Sequence, residues 1–199
     1  MPLVTLADVL RPALKNHYAV AGVVTLGWED MRAYVAAAEL EKCPLILQAG
    51  PSCRAHTPLA VLGKMFRYLA ENADVPIVAH LDHGYTLDEC HEALDAGFTS
   101  LMFDGSRIPL ATNISETKRV VDLAHEAGTS CEGEIGFVGY DGGEQSNGTD
   151  PNEAETFAAE TGVDAMAISV GNVHLQQDQS GGLDEGRIAA IQAKTSVPL

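Results

Sequence analysis

Short apolar runs with strand character recur along this chain about thirty residues apart, and each is followed by a segment with helical punctuation. The candidate strands are Tyr18–Val24, Pro44–Gln48, Pro76–Leu81, Ser100–Phe103, Ser130–Ile135 and Ala165–Val170, with a seventh beginning at Val197-Pro198-Leu199. That interval leaves room for one strand and one crossover helix, the repeat unit of a parallel sheet. The run before His80 is apolar without alternation, which suits a strand buried on both faces.

Helix signals fall between the strands. Thr57-Pro58 and Asp150-Pro151 each offer an N-cap with proline at the first helical position. Thr86-Leu-Asp-Glu89 and Asn113-Ile-Ser-Glu116 have capping-box spacing. Ala96-Gly97, Ala127-Gly128 and Thr161-Gly162 place glycine where a helix should stop. Six such units and the start of a seventh strand predict a TIM (β/α)8 barrel spanning residues 1–199 as a single domain. The competing architecture is an open doubly wound sheet, but no glycine-rich dinucleotide fingerprint follows the first strand. A complete barrel needs roughly 250 residues, so the chain is expected to be part of a longer polypeptide, lacking the barrel's C-terminal portion.

The 199 residues are 46% hydrophobic and 20% charged, enough for one well-cored domain. A net charge of −16 argues against nucleic acid as a partner, because such binding needs clustered Lys and Arg. No apolar stretch is long enough to span a membrane, and the amino terminus lacks a signal-peptide pattern, so cytoplasmic residence is expected. Cys43, Cys53, Cys90 and Cys131 show no CxxC spacing and read as free thiols.

Chemistry concentrates at strand ends, where parallel α/β folds carry their sites. The run Pro76-Ile-Val-Ala stops at His80, Asp82, His83 and Gly84. Alternation puts His80 and Asp82 on one face and His83 on the other, but Gly84 suggests that the backbone turns immediately, which would let His83 fold over the barrel mouth. A hydrogen-bonded pair closing a strand is the structural alternative to a reacting cluster. His174 closes the sixth strand, and two imidazoles from different strands make a partial shell for a divalent cation. Asp104 follows the fourth strand, while Glu132 and Glu134 share a face of the fifth. Ionised carboxylates stay buried only with a partner, so these meet a cation or face solvent. The polar segment from Gly139 to Gly148, containing Glu144, is either a solvated loop or a lid over the catalytic face.

In this order the residues resemble the class II fructose-bisphosphate and tagatose-bisphosphate aldolases. The likeness is carried by Tyr18-Ala-Val20, Ala79-His-Leu-Asp-His-Gly84, Phe103-Asp-Gly-Ser106, Asn113-Ile-Ser115, Glu132-Gly-Glu-Ile-Gly136 and Gly171-Asn-Val-His174. The resemblance implies a barrel enzyme that reversibly cleaves a phosphorylated ketose to dihydroxyacetone phosphate and an aldehyde. It implies Zn2+ or another divalent ion, a monovalent cation, and a homodimer or homotetramer. By the same resemblance His83 and His174 are metal ligands, and Asp104 and Glu134 hold the ion in an alternative, buried position. Asp82 is then the acid/base for the C4 hydroxyl, Glu144 the loop glutamate for proton transfer at C3, and Gly171 and Asn172 contact substrate. The residue types suit the reaction: cleaving C3–C4 leaves negative charge beside a ketone, which a divalent cation spreads as an enediolate. The alternative, a Schiff-base lysine, has no candidate among Lys42, Lys64, Lys118 and Lys194, which fall on helical segments.

Four departures from the family pattern stand out. The family's third metal histidine follows the seventh strand, beyond Leu199. Leu175 stands where glycine is usual, and Val24 where asparagine is usual. The segment between Glu134 and Pro151 is shorter than in the tagatose enzymes. An alternative reading is therefore a non-catalytic aldolase-like paralogue that binds phosphosugars or stabilises a partner subunit.

Overall fold

A computed structural model of the chain describes residues 3–177 and 182–199. The elements run β1 (Leu3–Val4), α1 (Leu6–Asn16), β2 (Ala21–Val24), α2 (Trp28–Glu41), β3 (Leu45–Ala49), α3 (Pro51–His56) and α4 (Leu59–Glu71). They continue with β4 (Ile77–Gly84), α5 (Leu87–Asp95), β5 (Ser100–Phe103), α6 (Leu110–Glu126), β6 (Ser130–Ile135), α7 (Pro151–Thr161), β7 (Ala165–Ile168) and α8 (Glu185–Gln192). Strands β2 to β7 pair in chain order, all parallel, as six consecutive staves of a barrel.

Helices cover the outer face of the sheet because each strand's outward residues are apolar. Leu47, Ile77, Leu81, Leu101 and Met166 are fully buried within one continuous core that includes Phe66, Phe98 and Phe157 of the surrounding helices and loops. Each such side chain contributes roughly 1.5–3 kcal/mol through burial.

The inner face is closed at the bottom by α1. Thr5 caps this helix, accepting from the Asp8 backbone N–H while Asp8 reaches back to the Thr5 N–H. Its buried Leu6 and Val9 pack against Ile46, Val78 and Ala165 from three strands. The two-residue β1 pairs with the first residues of β4, below the point where β5 begins. The Thr99 hydroxyl donates to the Val4 carbonyl at 2.7 Å and ties that corner together.

Several details correct the sequence reading. Pro58, not Thr57, is the N-cap residue of α4, because Thr57 ends the short α3 that the sequence did not reveal. Asn113 caps nothing: it lies buried inside α6, where its side-chain amide donates to the Glu134 carbonyl and accepts from the Thr117 hydroxyl. Lys42 and Lys194 lie just beyond α2 and α8 rather than on them. Val197–Leu199 does not form a strand, although Met166 of β7 donates its N–H to the Pro198 carbonyl at 2.9 Å. Asp150 and Thr86 cap α7 and α5 as expected, and Gly97, Gly128 and Gly162 take positive φ where helices end.

Candidate active site

At the carboxyl end of the sheet, β4 changes course. Its pairing with β5 shifts register between Leu81 and Gly84, and His83 adopts a left-handed φ of 53°. A regular strand would send the His83 ring outward, opposite to His80 and Asp82. The left-handed step instead brings it to the same cavity as Asp82.

That cavity, of about 200 Å3, is lined by Gln48, Asp82, His83, Glu132, Glu134, Asn172 and His174, among others. His83 Nδ1 lies 2.9 Å from Asp104 Oδ2 and 3.4 Å from Glu134 Oε2. Its ring meets that of His174 edge to face, with 5.3 Å between centroids. Asp82 Oδ1 stands 4.0 Å from His83 Nε2. A Cβ at Gly50 would sit only 3.0 Å from Asp82 Oδ2, so the absence of a side chain there leaves room for the carboxylate. Deeper down, His80 is fully buried, with Nδ1 2.8 Å from the Ser100 hydroxyl and Nε2 3.3 Å from Glu132 Oε2.

Crowding acids and imidazoles away from water perturbs their protonation. Burial pulls His83 down, but the hydrogen bond to Asp104 and the charges of Asp82, Glu134 and Asp104 outweigh it and raise the imidazole to about 9. Burial and the neighbouring Asp104 charge push Glu134 up to about 8. Burial and then Asp82 lift Glu132 to about 7. Burial also opposes ionisation of Asp104, yet hydrogen bonds from His83 and Ser106 keep it below its ordinary value. His174 is lowered by burial and by the His83 charge, and burial drives His80 down to about 4.

The donor set fits a divalent cation. One ligand atom each from His83, Asp104 and Glu134 lie within 4.8 Å of one another. Glu134 Oε2 is buried without a hydrogen-bond partner among the described residues, a costly condition that a cation would relieve. His174 stands beside this group through its ring contact with His83.

Asn172 borders the cavity from the loop after β7, and Gly171, which precedes it, is not among the lining residues. Gly171 has φ 94°, and a Cβ there would come within 2.9 Å of the Gly182 carbonyl. The Asn172 side chain accepts from the Val170 N–H at 2.8 Å. Glu144 stands apart: its carboxylate is exposed and accepts from Arg107 at 2.9 Å. Its loop is nonetheless fastened to the His174 segment, since His174 N–H donates to the Gly139 carbonyl and Asp141 N–H to that of His174. The sequence reading assigned no role to Gln48 or Arg54. Gln48 is only a polar residue near the end of an apolar strand, and Arg54 sits on a helix too short to leave a periodic signal.

An arc of parallel strands with titratable side chains gathered at their carboxyl ends is the architecture of the (β/α)-barrel enzymes. The sequence profile of the family described as "Fructose-bisphosphate aldolase class-II" matches residues 4–199. The chain is 38% identical over 207 residues to a 6-phospho-5-dehydro-2-deoxy-D-gluconate aldolase of Shouchella clausii, covering all of this chain and 70% of that protein. It is 35% identical over 209 residues to a fructose-bisphosphate aldolase of Staphylococcus aureus, covering 72% of it. The crystal structure of the YdjI aldolase from Escherichia coli K12 superposes with a TM-score of 0.88 at 31% identity, over 99% of this chain and 71% of that one. The chain belongs to the class II fructose-bisphosphate aldolase family, and its strands β2 to β7 lie in the part that matches that barrel.

Proposed function

We propose that this protein is a metal-dependent aldolase that cleaves a phosphorylated ketose to dihydroxyacetone phosphate and an aldehyde. The observation that carries the reading is the convergence of His83, Asp104 and Glu134, with His174 against the His83 ring and Asp82 alongside. The relatives bear the names of aldolases for fructose bisphosphate and 6-phospho-5-dehydro-2-deoxy-D-gluconate, which supports a phosphorylated ketose as the substrate class.

In this reading His83, His174, Asp104 and Glu134 hold the ion, with Zn2+ the first candidate for such a mixed imidazole and carboxylate set. When bound, a divalent cation supplies Lewis-acid stabilisation of the charge left beside the ketone. Asp82, next in sequence to His83, takes the C4 hydroxyl proton as the bond breaks and returns it in the reverse direction. Gly171 and Asn172 shape the substrate side, and Glu144 reaches the C3 proton only after its loop moves.

The test is release of triose phosphate from a panel of phosphorylated ketoses. Turnover should vanish with chelator and return with Zn2+. Asp82→Ala should abolish cleavage, by roughly 10²–10⁴-fold or more, while the ion stays bound. Chelator-resistant turnover by a protein that contains no metal would end this reading, and full activity in Asp82→Ala would remove Asp82 from its role.

A further inference from the structure

We infer that Arg54 is a positioning residue, holding from behind the left-handed peptide that turns the His83 ring into the cavity. Arg54 projects from α3, and its side chain is 9% exposed. Strand β3 pairs with β4 only as far as Leu81, and beyond that point the carbonyls of Asp82 and His83 are met by Arg54. Nη1 donates to the Asp82 carbonyl at 2.5 Å and to the Ala49 carbonyl at 2.9 Å. Nη2 donates to the His83 carbonyl at 3.1 Å and to Glu89 Oε1 at 3.4 Å.

The far side of the turn is fixed by the same network. Glu89 Oε2 accepts from the backbone N–H groups of Tyr85 and Thr86, at 2.8 and 3.1 Å, as part of the α5 capping box. One planar fork thus grips the two carbonyls that flank the His83 φ bond, one on either side of it, and anchors to the carboxylate that orders the peptides that follow. A lysine ammonium is a point donor and cannot reproduce that fork. Without it, a non-glycine residue in the left-handed region is free to relax to strand geometry, which swings the ring to the opposite face, away from Asp104. Its hydrogen bonds in this turn go to the backbone carbonyls of Asp82 and His83 and not to their side chains, so it acts through the backbone.

This inference rests on the reading of His83 as an ion ligand, and the experiment separates the two. Arg54→Met and Arg54→Lys are compared with the wild type after circular dichroism and thermal unfolding establish that each is folded. Zn2+ affinity is read by competition with a chelating dye, and the visible spectrum is recorded with Co2+. In the metal-free protein, imidazole 1H–15N signals report the His83–Asp104 hydrogen bond. Arg54→Met should bind Zn2+ about 10–100-fold more weakly, as loss of a group that orients a ligand does, with a changed Co2+ spectrum and a displaced His83 signal. Arg54→Lys should fall between. Wild-type affinity together with an unmoved His83 signal in folded Arg54→Met overturns the inference. If Arg54→Met does not fold, the same result in Arg54→Lys overturns it. Should the wild type take up no divalent ion, the metal reading fails, and the His83 signal alone then decides the role of Arg54.

Discussion

The rings of His83 and His174 stand edge to face, 5.3 Å between centroids, although one ends β4 and the other follows β7. His83 is simultaneously hydrogen-bonded to Asp104, and it retains a proton up to about pH 9 in the ion-free protein, while Glu134 does so up to about 8. A divalent ion binds only deprotonated ligands, so its uptake must expel those protons. Both groups have folded values above their ordinary ones, so their contribution to ion-free stability is greatest at low pH. It falls from about 4.5 to 8 for Glu134 and from about 6.5 to 9 for His83. Zn2+ affinity is therefore expected to rise between pH 6 and 9, with release of about one or more protons per ion at pH 7. Calorimetric titration in buffers of different ionisation enthalpy measures this directly. A binding enthalpy independent of the buffer would contradict it.

Glu144 is paired with Arg107, and both side chains are more than half exposed. Such a pair is worth about 0–1 kcal/mol, so it is easily exchanged for another contact as the loop moves. Glu144→Gln is expected to lower kcat by roughly 10²-fold, a typical loss for an acid/base group, without changing metal content or Tm by more than about a degree. Arg107→Gln should leave metal content unchanged and should not reproduce that loss. Unaltered kcat in Glu144→Gln would take the proton-transfer role from this residue.

Fully buried His80 sits beneath the acids that line the cavity, and burial lowers it to about 4. Its imidazole is neutral in the fold but titrates at about 6.5 in the unfolded chain, so the contribution is complete above about 6.5 and is lost as pH falls through about 4. The full loss is about 3 kcal/mol. Chemical denaturation at successive pH values should show this acid limb in the wild type and a flatter one in His80→Gln. Asp104, held below its usual value, adds a decline only at still lower pH.

The sheet was legible because β3 to β7 are short apolar runs of sufficient length between clear helix stops. The amino-terminal plug was not: β1 has two residues, and α1 carries Pro12 in its interior, which interrupts the helical pattern. Asn113 imitated a capping box because an asparagine three residues before a glutamate reads identically whether it caps a helix or bridges to Glu134 from inside one. At the site, residue types and strand ends pointed to His83, Asp104, Glu134 and His174, but alternation alone placed His83 on the wrong face. A left-handed φ at a histidine leaves no mark in the sequence, and neither does the buried arginine behind it.

Leu175 adopts the same unusual backbone region, with φ 56°, and its side chain is 78% exposed. The left-handed conformation costs a residue with a Cβ roughly 1–2 kcal/mol, and here little apolar burial offsets it. Glycine relieves that cost but loses roughly 0.5–1 kcal/mol through the greater freedom of its unfolded chain. Leu175→Gly, which supplies the residue usual in the class II aldolases, should therefore stabilise the protein by about 0.5–1 kcal/mol, or about 1–4 °C in Tm. Leu175→Val should destabilise it, since a β-branched side chain tolerates this region poorly. Thermal unfolding of both variants decides the matter: if glycine lowers Tm as much as valine does, the exposed leucine is held by contacts worth more than its strain.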